Sequence, residues 1–181
     1  MTVCEWGKGM GKKKLVVVMN GQGGVGKDTL CDALRTVYQV VNISAITPIK
    51  EIAAAYGWNG EKDERSRRFL ANLKRTFADY NDLPNRYLLG EYERFCSGPA
   101  DILCVHIRES DQIEKFVSGV ALPCVTILVK RDMGERGRRY GNDADDGVGR
   151  YRYDYEFDNN GSIEESAERF RALIRSVLLS H

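Results

Sequence analysis

The chain has 181 residues, which is enough for one domain with a sizeable apolar core. Its 27 Lys and Arg residues balance 26 Asp and Glu residues, so the formal net charge is +1. This balance argues against a general nucleic-acid-binding protein, which usually carries a strong basic excess. The sequence contains no run of about 18 apolar residues, so we expect neither a transmembrane helix nor a membrane partner.

The N-terminal segment 1–14 is rich in glycine and lysine and lacks the apolar centre of a signal peptide. We predict that it forms a flexible basic arm and that residues 15–181 form a single folded domain. The five cysteines are scattered and show no CxxC spacing. This pattern favours reduced thiols and a cytoplasmic location.

The first predicted strand, residues 15–19, leads into the segment GQGGVGKDT, which matches the GxxxxGK phosphate-binding pattern. Glycine lets the backbone approach closely spaced phosphate oxygens and turn its N–H groups inward. The helix that begins near Lys27 adds a partial positive charge, and the lysine is expected to reach the β- and γ-phosphates. The predicted ATP contacts are Gly21, Gly23, Gly24, Val25, Gly26, Lys27, Asp28 and Thr29.

The residue after the loop lysine is Asp28, where a Ser or Thr normally offers a hydroxyl to magnesium. A carboxylate is also an oxygen ligand for Mg²⁺, so Asp28 and Thr29 are the candidate metal ligands. By its position, Thr29 is also expected to face the α-phosphate. In a milder alternative, Asp28 hydrogen-bonds a metal-bound water or caps the helix.

Further strands are predicted at residues 41–46, 102–107 and 125–129, with helical patterns between them. This alternation favours an α/β fold of the P-loop NTPase type, with a mainly parallel sheet between two helical layers. The charged block 61–94 shows helical apolar spacing and lies in a short helical acceptor-binding region at about 50–100.

The C-terminal stretch 162–179 has apolar residues near a period of 3.6 and should form an amphipathic helix that covers the sheet. Ser162 and Glu165 have the spacing of a capping box at its start. We therefore predict that this helix begins directly after Ser162.

Cations follow the predicted strands at the edge where such sheets bind ligands. Fixed cations stabilise the charge that gathers on a transferred phosphoryl group. Glu109 and Asp111 are expected to orient Arg108, although an arginine paired with its acidic neighbours on the surface is the alternative. The predicted catalytic residues are Lys27, Arg108, Arg131 and Arg136.

The segment 131–152 is rich in arginine and glycine, and such a segment can close over a bound nucleotide as a lid. Its acidic residues leave an ordinary mobile loop as the alternative. Tyr80, Tyr87 and Tyr92 are candidates for lining an acceptor pocket, or for packing between helices. His106 lies in an apolar run, where a lone histidine is more often a core residue or one that contacts the residues of a site without contacting the ligand.

The GKDT sequence at 26–29 resembles the loop of phage-type deoxynucleoside monophosphate kinases, within the nucleoside-monophosphate-kinase-like P-loop family. ITPIKEIA at 46–53 is similar to that family's "plK-ei-a" segment. CVHIR at 104–108, continued through Glu114, is similar to its "DvR...E" segment, and YDYEFDNNGSIEE at 153–165 to its ending. Residues 57–100 carry no such resemblance.

This resemblance implies an enzyme that uses ATP and Mg²⁺ to move the γ-phosphoryl group to a small phosphate-bearing acceptor, a (deoxy)nucleoside monophosphate. It also implies that Arg108 contacts the acceptor phosphate and that Asn159 lies beside the adenine ring. His106 replaces an acidic residue that the family often carries.

Two alternatives stay open. A kinase similar to dephospho-coenzyme A kinase would use a hydroxyl acceptor and a carboxylate base such as Asp82 or Glu91. A nucleotide-binding regulator without transfer activity would explain the departures at Asp28 and His106.

Overall fold

The computed structural model describes residues 13–132, 134 and 151–181. A glycine-rich loop lies between its first strand and its first helix, where the phosphate-binding loop is predicted. In chain order the elements are β1 (Leu15–Asn20), α1 (Lys27–Leu34), β2 (Val40–Ser44), α2 (Thr47–Ala55), α3 (Glu64–Asn81), α4 (Leu83–Ser97), β3 (Ile102–His106), α5 (Ser110–Ser118), β4 (Cys124–Lys130), β5 (Tyr155–Asp158) and α6 (Ile163–Ser180).

The strands form one parallel sheet in the order β2-β3-β1-β4-β5. All six residues of the central strand β1 are buried. A strand covered on both faces has no solvated side, which explains its unbroken apolar run up to Asn20. Because the strands are parallel, their carboxyl ends meet at one edge, and the predicted parallel sheet is confirmed.

Helices cover both faces of the sheet. On one face, Leu34 of α1 and Phe170 of α6 pack against β1. On the other face, Leu88 of α4 and Phe116 of α5 close a second cluster. This three-layer arrangement buries both apolar sheet faces and confirms the predicted fold class. No helix in the described part of the chain is long and apolar enough to cross a membrane.

The strand boundaries differ slightly from those predicted. β2 ends at Ser44, two residues before the predicted end, because α2 begins at Thr47 with Pro48 in its first turn. β3 ends at His106, one residue early, and β4 extends one residue beyond each predicted end.

Strand β5 is absent from the predicted strands. Only Phe157 of its four residues is buried, since β5 lies at the edge of the sheet. A strand with one buried residue shows neither an apolar run nor a clear alternation, so its sequence carries little signal.

The charged block 61–94 contains two helices that meet at Asp82. This residue has φ of 57° and is the one non-glycine residue with positive φ in the described part of the chain. Pro84 in the first turn of α4 cannot continue a helix, which separates α4 from α3. The Asp82 carboxylate accepts from Lys115 Nζ at 2.7 Å, and this ion pair ties the joint to α5.

A small third apolar cluster joins α2 and α3. It contains Ile49, Ala53 and Leu70, and Trp58 packs at its edge. Leu70 is the one buried residue of α3. The two helices therefore share a core of their own that is much smaller than those of the sheet faces.

Lys14, the residue directly before β1, contacts the end of α4. The half-buried Lys14 donates from Nζ to the carbonyl oxygens of Phe95, Gly98 and Ala100 at 2.7 to 2.9 Å. A cation at a helix C-terminus stabilises carbonyls that lack helical partners, here those at the end of α4. The Lys14 side chain is thus tied to the end of α4, and residues 1–12 of the predicted arm 1–14 lie outside the described part of the chain.

Candidate nucleotide-binding site

The loop between β1 and α1 has a shape that its glycines allow. Gly21, Gly24 and Gly26 have φ angles of 143°, 86° and 93°, which residues with a side chain rarely adopt. A Cβ on Gly21 would lie 2.3 Å from the carbonyl oxygen of Val129, and one on Gly26 would lie 2.5 Å from Asn159 Nδ2. Both positions therefore require glycine for conformation and for space.

Lys27 opens α1 and holds its ammonium over this loop. Nζ donates to the carbonyl oxygens of Gly21 at 2.5 Å and Gln22 at 3.0 Å. Val25 is 2 % exposed and anchors the loop in the core. The first N–H groups of α1 have no helical partners, so an anion at the loop would meet both these donors and the lysine charge.

Asn20 connects the loop to two other segments of the site. Its Oδ1 accepts from Gly21 N at 2.7 Å, and its Nδ2 donates to the Arg108 carbonyl at 2.8 Å and to the Tyr153 hydroxyl at 2.7 Å. Burial raises the pKa of Tyr153, so this hydroxyl stays protonated. Sequence analysis missed Asn20; the available signal was a polar residue ending a buried strand, which needs hydrogen-bond partners.

Asn159 lies beneath the loop. It is 6 % exposed, and its Nδ2 donates to the Val25 carbonyl at 2.7 Å. Its backbone N–H donates to the Lys130 carbonyl at 2.7 Å. The asparagine expected beside the adenine ring therefore holds the main chain of the phosphate loop.

The two candidate metal ligands are accessible. The Asp28 side chain is 87 % exposed, and Thr29 is also exposed. The described residues contain no group of three or more His, Cys, Asp or Glu side chains arranged to hold a metal. Magnesium bound to a nucleotide needs no such group, because phosphates and waters supply most of its ligands. A carboxylate and a hydroxyl beside a phosphate loop therefore fit this ion.

Two polar side chains from neighbouring strands face Asp28, one from the middle of β2 and one from the end of β3. Asp28 Oδ1 lies 3.3 Å from Asn42 Nδ2 and 3.6 Å from His106 Nε2. His106 Nε2 in turn lies 2.7 Å from Asn42 Oδ1. The sequence analysis left His106 as a core or supporting residue, and it did not select Asn42.

Arg108 leaves the edge of the sheet two residues after β3 and is half-buried. The next residue, Glu109, accepts from Lys74 Nζ of α3 at 2.5 Å. The Lys74 side chain is only 13 % exposed, so this ion pair fastens α3 to the segment that carries Arg108. Sequence analysis missed Lys74 because the charged block offers many cations and no local signal that selects one.

The other predicted catalytic arginines belong to the lid segment. Arg131 directly follows β4 and is exposed. Arg136 lies outside the described residues, as does most of the predicted lid at 131–152. Lys130 pairs with Glu156 of β5 at 2.5 Å, so its charge is balanced at the edge of the sheet.

The tyrosines considered for the acceptor pocket differ in environment. Tyr92 is 6 % exposed, and its hydroxyl accepts from the N–H groups of Ala121 and Leu122 at 3.0 and 3.1 Å. It is therefore a buried packing residue of α4, as the alternative predicts. Tyr87 is half-buried, whereas Tyr80 is 83 % exposed.

Both carboxylates considered as bases for a hydroxyl acceptor are paired. Asp82 binds Lys115, and Glu91 binds Arg94 one turn further along α4. Each carboxylate is thus engaged by a neighbouring cation. Neither is left without a partner to act as a base for an acceptor hydroxyl.

The described cysteines are free, as predicted. Burial raises the pKa of Cys124 to about 12, and contact with Cys104 together with burial raises the pKa of Cys31. These thiols therefore stay protonated at neutral pH and act as small core groups.

A scan against protein-family models found no match, and a comparison with curated proteins found none either. Solved structures show a similar fold. TT1252 from Thermus thermophilus has a TM-score of 0.52 at 19 % identity, covering 91 % of this chain and 98 % of that one. A shikimate kinase from Aquifex aeolicus has a TM-score of 0.53 at 10 % identity, covering 92 % and 99 %. A gluconokinase from Sinorhizobium meliloti has a TM-score of 0.51 at 12 % identity, covering 93 % and 95 %.

Identities this low establish a common fold and not a common acceptor. The coverage of nearly the whole of each chain means that the similarity includes both helical layers as well as the sheet. The protein therefore has the three-layer α/β fold of these solved structures, with the glycine-rich loop after its central strand.

Proposed function

We propose that the protein is an ATP- and Mg²⁺-dependent kinase whose acceptor is a (deoxy)nucleoside monophosphate. The observation that carries this proposal is the Lys27 ammonium held over the loop after β1, with Arg108 just beyond the end of the adjacent strand β3. Cations for a donor phosphate and for an acceptor phosphate thus come from neighbouring strands. This is the arrangement that transfer between two phosphate groups requires.

On the donor side, the N–H groups of the glycine loop and Lys27 would bind the β- and γ-phosphates. Asp28 and Thr29 would hold the magnesium, which would offset charge on the phosphate oxygens. We also propose that the adenine lies beside Asn159. A contact there would couple base binding to the loop, because the Asn159 amide donates to the Val25 carbonyl.

On the acceptor side, an oxygen of the monophosphate would attack the γ-phosphorus while the bond to the β–γ bridging oxygen breaks. The products are ADP and a nucleoside diphosphate. The attacking oxygen is already anionic, so positioning replaces a strong base. The proposed cations around it are Arg108, Arg131 and Arg136.

A second candidate is a kinase with a hydroxyl acceptor, similar to dephospho-coenzyme A kinase. Its support is that a shikimate kinase and a gluconokinase share the fold. Such an enzyme would need a carboxylate to receive the hydroxyl proton. Asp82 and Glu91 are both paired with cations, which favours the phosphate acceptor.

The decisive experiment measures ADP formation from ATP and Mg²⁺ with a panel of acceptors. The panel contains ribo- and deoxyribonucleoside monophosphates and dephospho-coenzyme A, and Lys27→Ala is the control. We expect stimulation by one monophosphate and its loss in the variant. Stimulation by dephospho-coenzyme A would replace the proposed acceptor, and ATP binding without any stimulation would favour a nucleotide-binding regulator.

A second variant tests the acceptor side separately. Arg108→Ala should raise the KM for the acceptor by about 10-fold or more while ATP affinity stays close to that of the wild type. An unchanged acceptor KM would remove Arg108 from the site. A fall in ATP affinity alone would assign it to the donor nucleotide.

A further inference from the structure

Three polar side chains from three elements meet at the carboxyl edge of the sheet. Asp28 lies in the first turn of α1, Asn42 lies on β2 and His106 ends β3. Asn42 is opposite Cys104 in the sheet, and His106 is two residues further along the same strand. Because side chains alternate along a strand, Asn42 and His106 point to the same face, which α1 covers.

The hydrogen bonds lead from His106 as donor to Asn42, and from Asn42 as donor to Asp28. Asn42 Oδ1 can only accept, so at 2.7 Å the His106 Nε2 must carry the proton. This contact turns the other end of the amide toward Asp28, where Nδ2 donates to Oδ1 at 3.3 Å. The opposite amide orientation would place an oxygen against the carboxylate, which charge disfavours. The imidazole thus orients the amide, and the amide orients the carboxylate.

The members of this chain differ in exposure. The His106 side chain is 12 % exposed, and its Nε2 lies 3.7 Å from the neutral thiol of Cys31. Asp28 is 87 % exposed, and without a partner its carboxylate would sample many positions. An exposed carboxylate is therefore tethered to a partly buried pair that the sheet holds in place.

On the basis of the proposed kinase function, we propose that Asn42 and His106 are positioning residues for Asp28. The carboxylate that they hold takes the part that a loop hydroxyl usually plays toward nucleotide-bound magnesium. Oδ1 accepts from Asn42, and a carboxylate has a second oxygen for the ion or for one of its waters. Groups that orient a metal ligand in this way influence metal affinity without touching the metal.

The test titrates a fluorescent ATP analogue at a series of Mg²⁺ concentrations and in EDTA. Asn42→Ala should raise the Mg²⁺ concentration that half-saturates tight nucleotide binding by about 10-fold, with affinity in EDTA changed by less than about twofold. His106→Ala should cause a shift in the same direction, because the amide loses its anchor. His106→Gln retains a donor and should recover part of the shift.

Gln39→Ala is the matched control, since Gln39 is an exposed amide just before β2, at the opposite edge of the sheet. It should change neither quantity. Thermal unfolding of each variant checks the fold; if Asn42→Ala does not fold, the two His106 variants carry the same comparison.

Three results would overturn this inference. The first is a magnesium dependence that Asp28→Ala changes but Asn42→Ala and His106→Ala do not. The second is a loss of nucleotide affinity in Asn42→Ala or His106→Ala that is as large in EDTA as in Mg²⁺. The third is an unchanged magnesium dependence in Asp28→Ala itself. In each case, Lys27-dependent transfer to an acceptor would still support the kinase. If the wild-type protein transferred phosphate to none of the acceptors, the proposed function itself would be refuted.

Discussion

The nucleotide side and the acceptor side of the proposed site are built differently. On the nucleotide side, Gly21 and Gly26 fit against a buried carbonyl and a buried amide with no room for a side chain. On the acceptor side, α2 and α3 share a small apolar cluster, and Tyr56 and Tyr80 are 89 % and 83 % exposed. The loop is fixed by the sheet, whereas α2 and α3 are held by their own small cluster and by α4, the helix of this region that packs on the sheet.

The difference follows from what each side must do. Backbone dipoles that bind phosphate are most effective when they are held in place before the ligand arrives. An acceptor region has to admit and release its ligand, and such elements come from the less stable parts of a protein. We therefore expect substitutions in the loop to reduce both the free energy of unfolding and ATP affinity. Substitutions of exposed residues on α3 should change acceptor binding without changing the free energy of unfolding.

The largest effect is expected for Gly21→Ala. The new Cβ would meet the Val129 carbonyl at 2.3 Å in a backbone conformation with φ of 143°. Strain and overlap together should cost about 3 kcal/mol in the free energy of unfolding, measured by chemical denaturation.

Gly57→Ala is the control on the acceptor side. Gly57 also has positive φ, 101°, but nothing lies within 4 Å of a Cβ built there. It should lose about 1 kcal/mol, from backbone strain alone. Equal losses at the two glycines would show that the close packing under the loop contributes nothing.

A smaller effect is expected for Asn159→Ala. The variant leaves the buried Val25 carbonyl without its donor, which should cost about 2 kcal/mol and weaken ATP binding. Asn160→Ala removes an exposed amide whose Oδ1 accepts from Asp132 N at 2.7 Å, and it should cost only about 0.5 kcal/mol because water can replace this bond. ATP affinity that survives in Asn159→Ala would argue that the loop keeps its shape without this bond.

The tyrosines of the helical region give a third contrast. Tyr92→Phe leaves two backbone N–H groups without an acceptor and should cost about 1 kcal/mol. Tyr80→Phe should leave stability within about 0.5 kcal/mol, because that side chain is exposed. If Tyr80 contacts the acceptor, Tyr80→Ala should raise the acceptor KM with no loss of stability, which steady-state kinetics and thermal unfolding would separate.

The smallest effect concerns two helix caps at low pH. Hydrogen bonds from Ser66 lower the pKa of Asp63 at the start of α3, and hydrogen bonds from Ser162 lower the pKa of Glu165 at the start of α6. A lowered pKa in the folded state means that each cap stabilises fully above the ordinary pKa. Its contribution is lost as the pH falls through the lowered value.

Amide hydrogen exchange, corrected for the intrinsic exchange rates, measures the protection of α3 and of α6 as the pH falls below about 4. We expect α3 to lose protection first, because it has one buried residue whereas α6 has five. Asp63→Asn should reduce the acid dependence of α3, whose ion pair with Glu109 remains, and leave that of α6 unchanged. Simultaneous loss in both helices would contradict the proposed difference between the two sides.

The sequence by itself was sufficient where the signal is local. The phosphate loop, the position of Lys27 and the Ser162 capping box each lie within a few residues, and the structure contains all three elements. The parallel sheet followed from the alternation of apolar and helical segments, because that pattern reflects burial on both faces of the strands. The acceptor contacts and the metal ligands remain predictions.

Tertiary structure alone decided the contacts between segments distant in the chain. Asn159 reaches Val25, Lys74 reaches Glu109, and Lys14 reaches the end of α4. Each is one of many polar residues of its type, and its partner is set by how the sheet orders its strands and helices. The signature of a phosphate loop is local, because it depends on the backbone conformation of a few consecutive residues. The hydrogen bonds that hold the loop in place are long-range, because only the complete sheet brings their partners together.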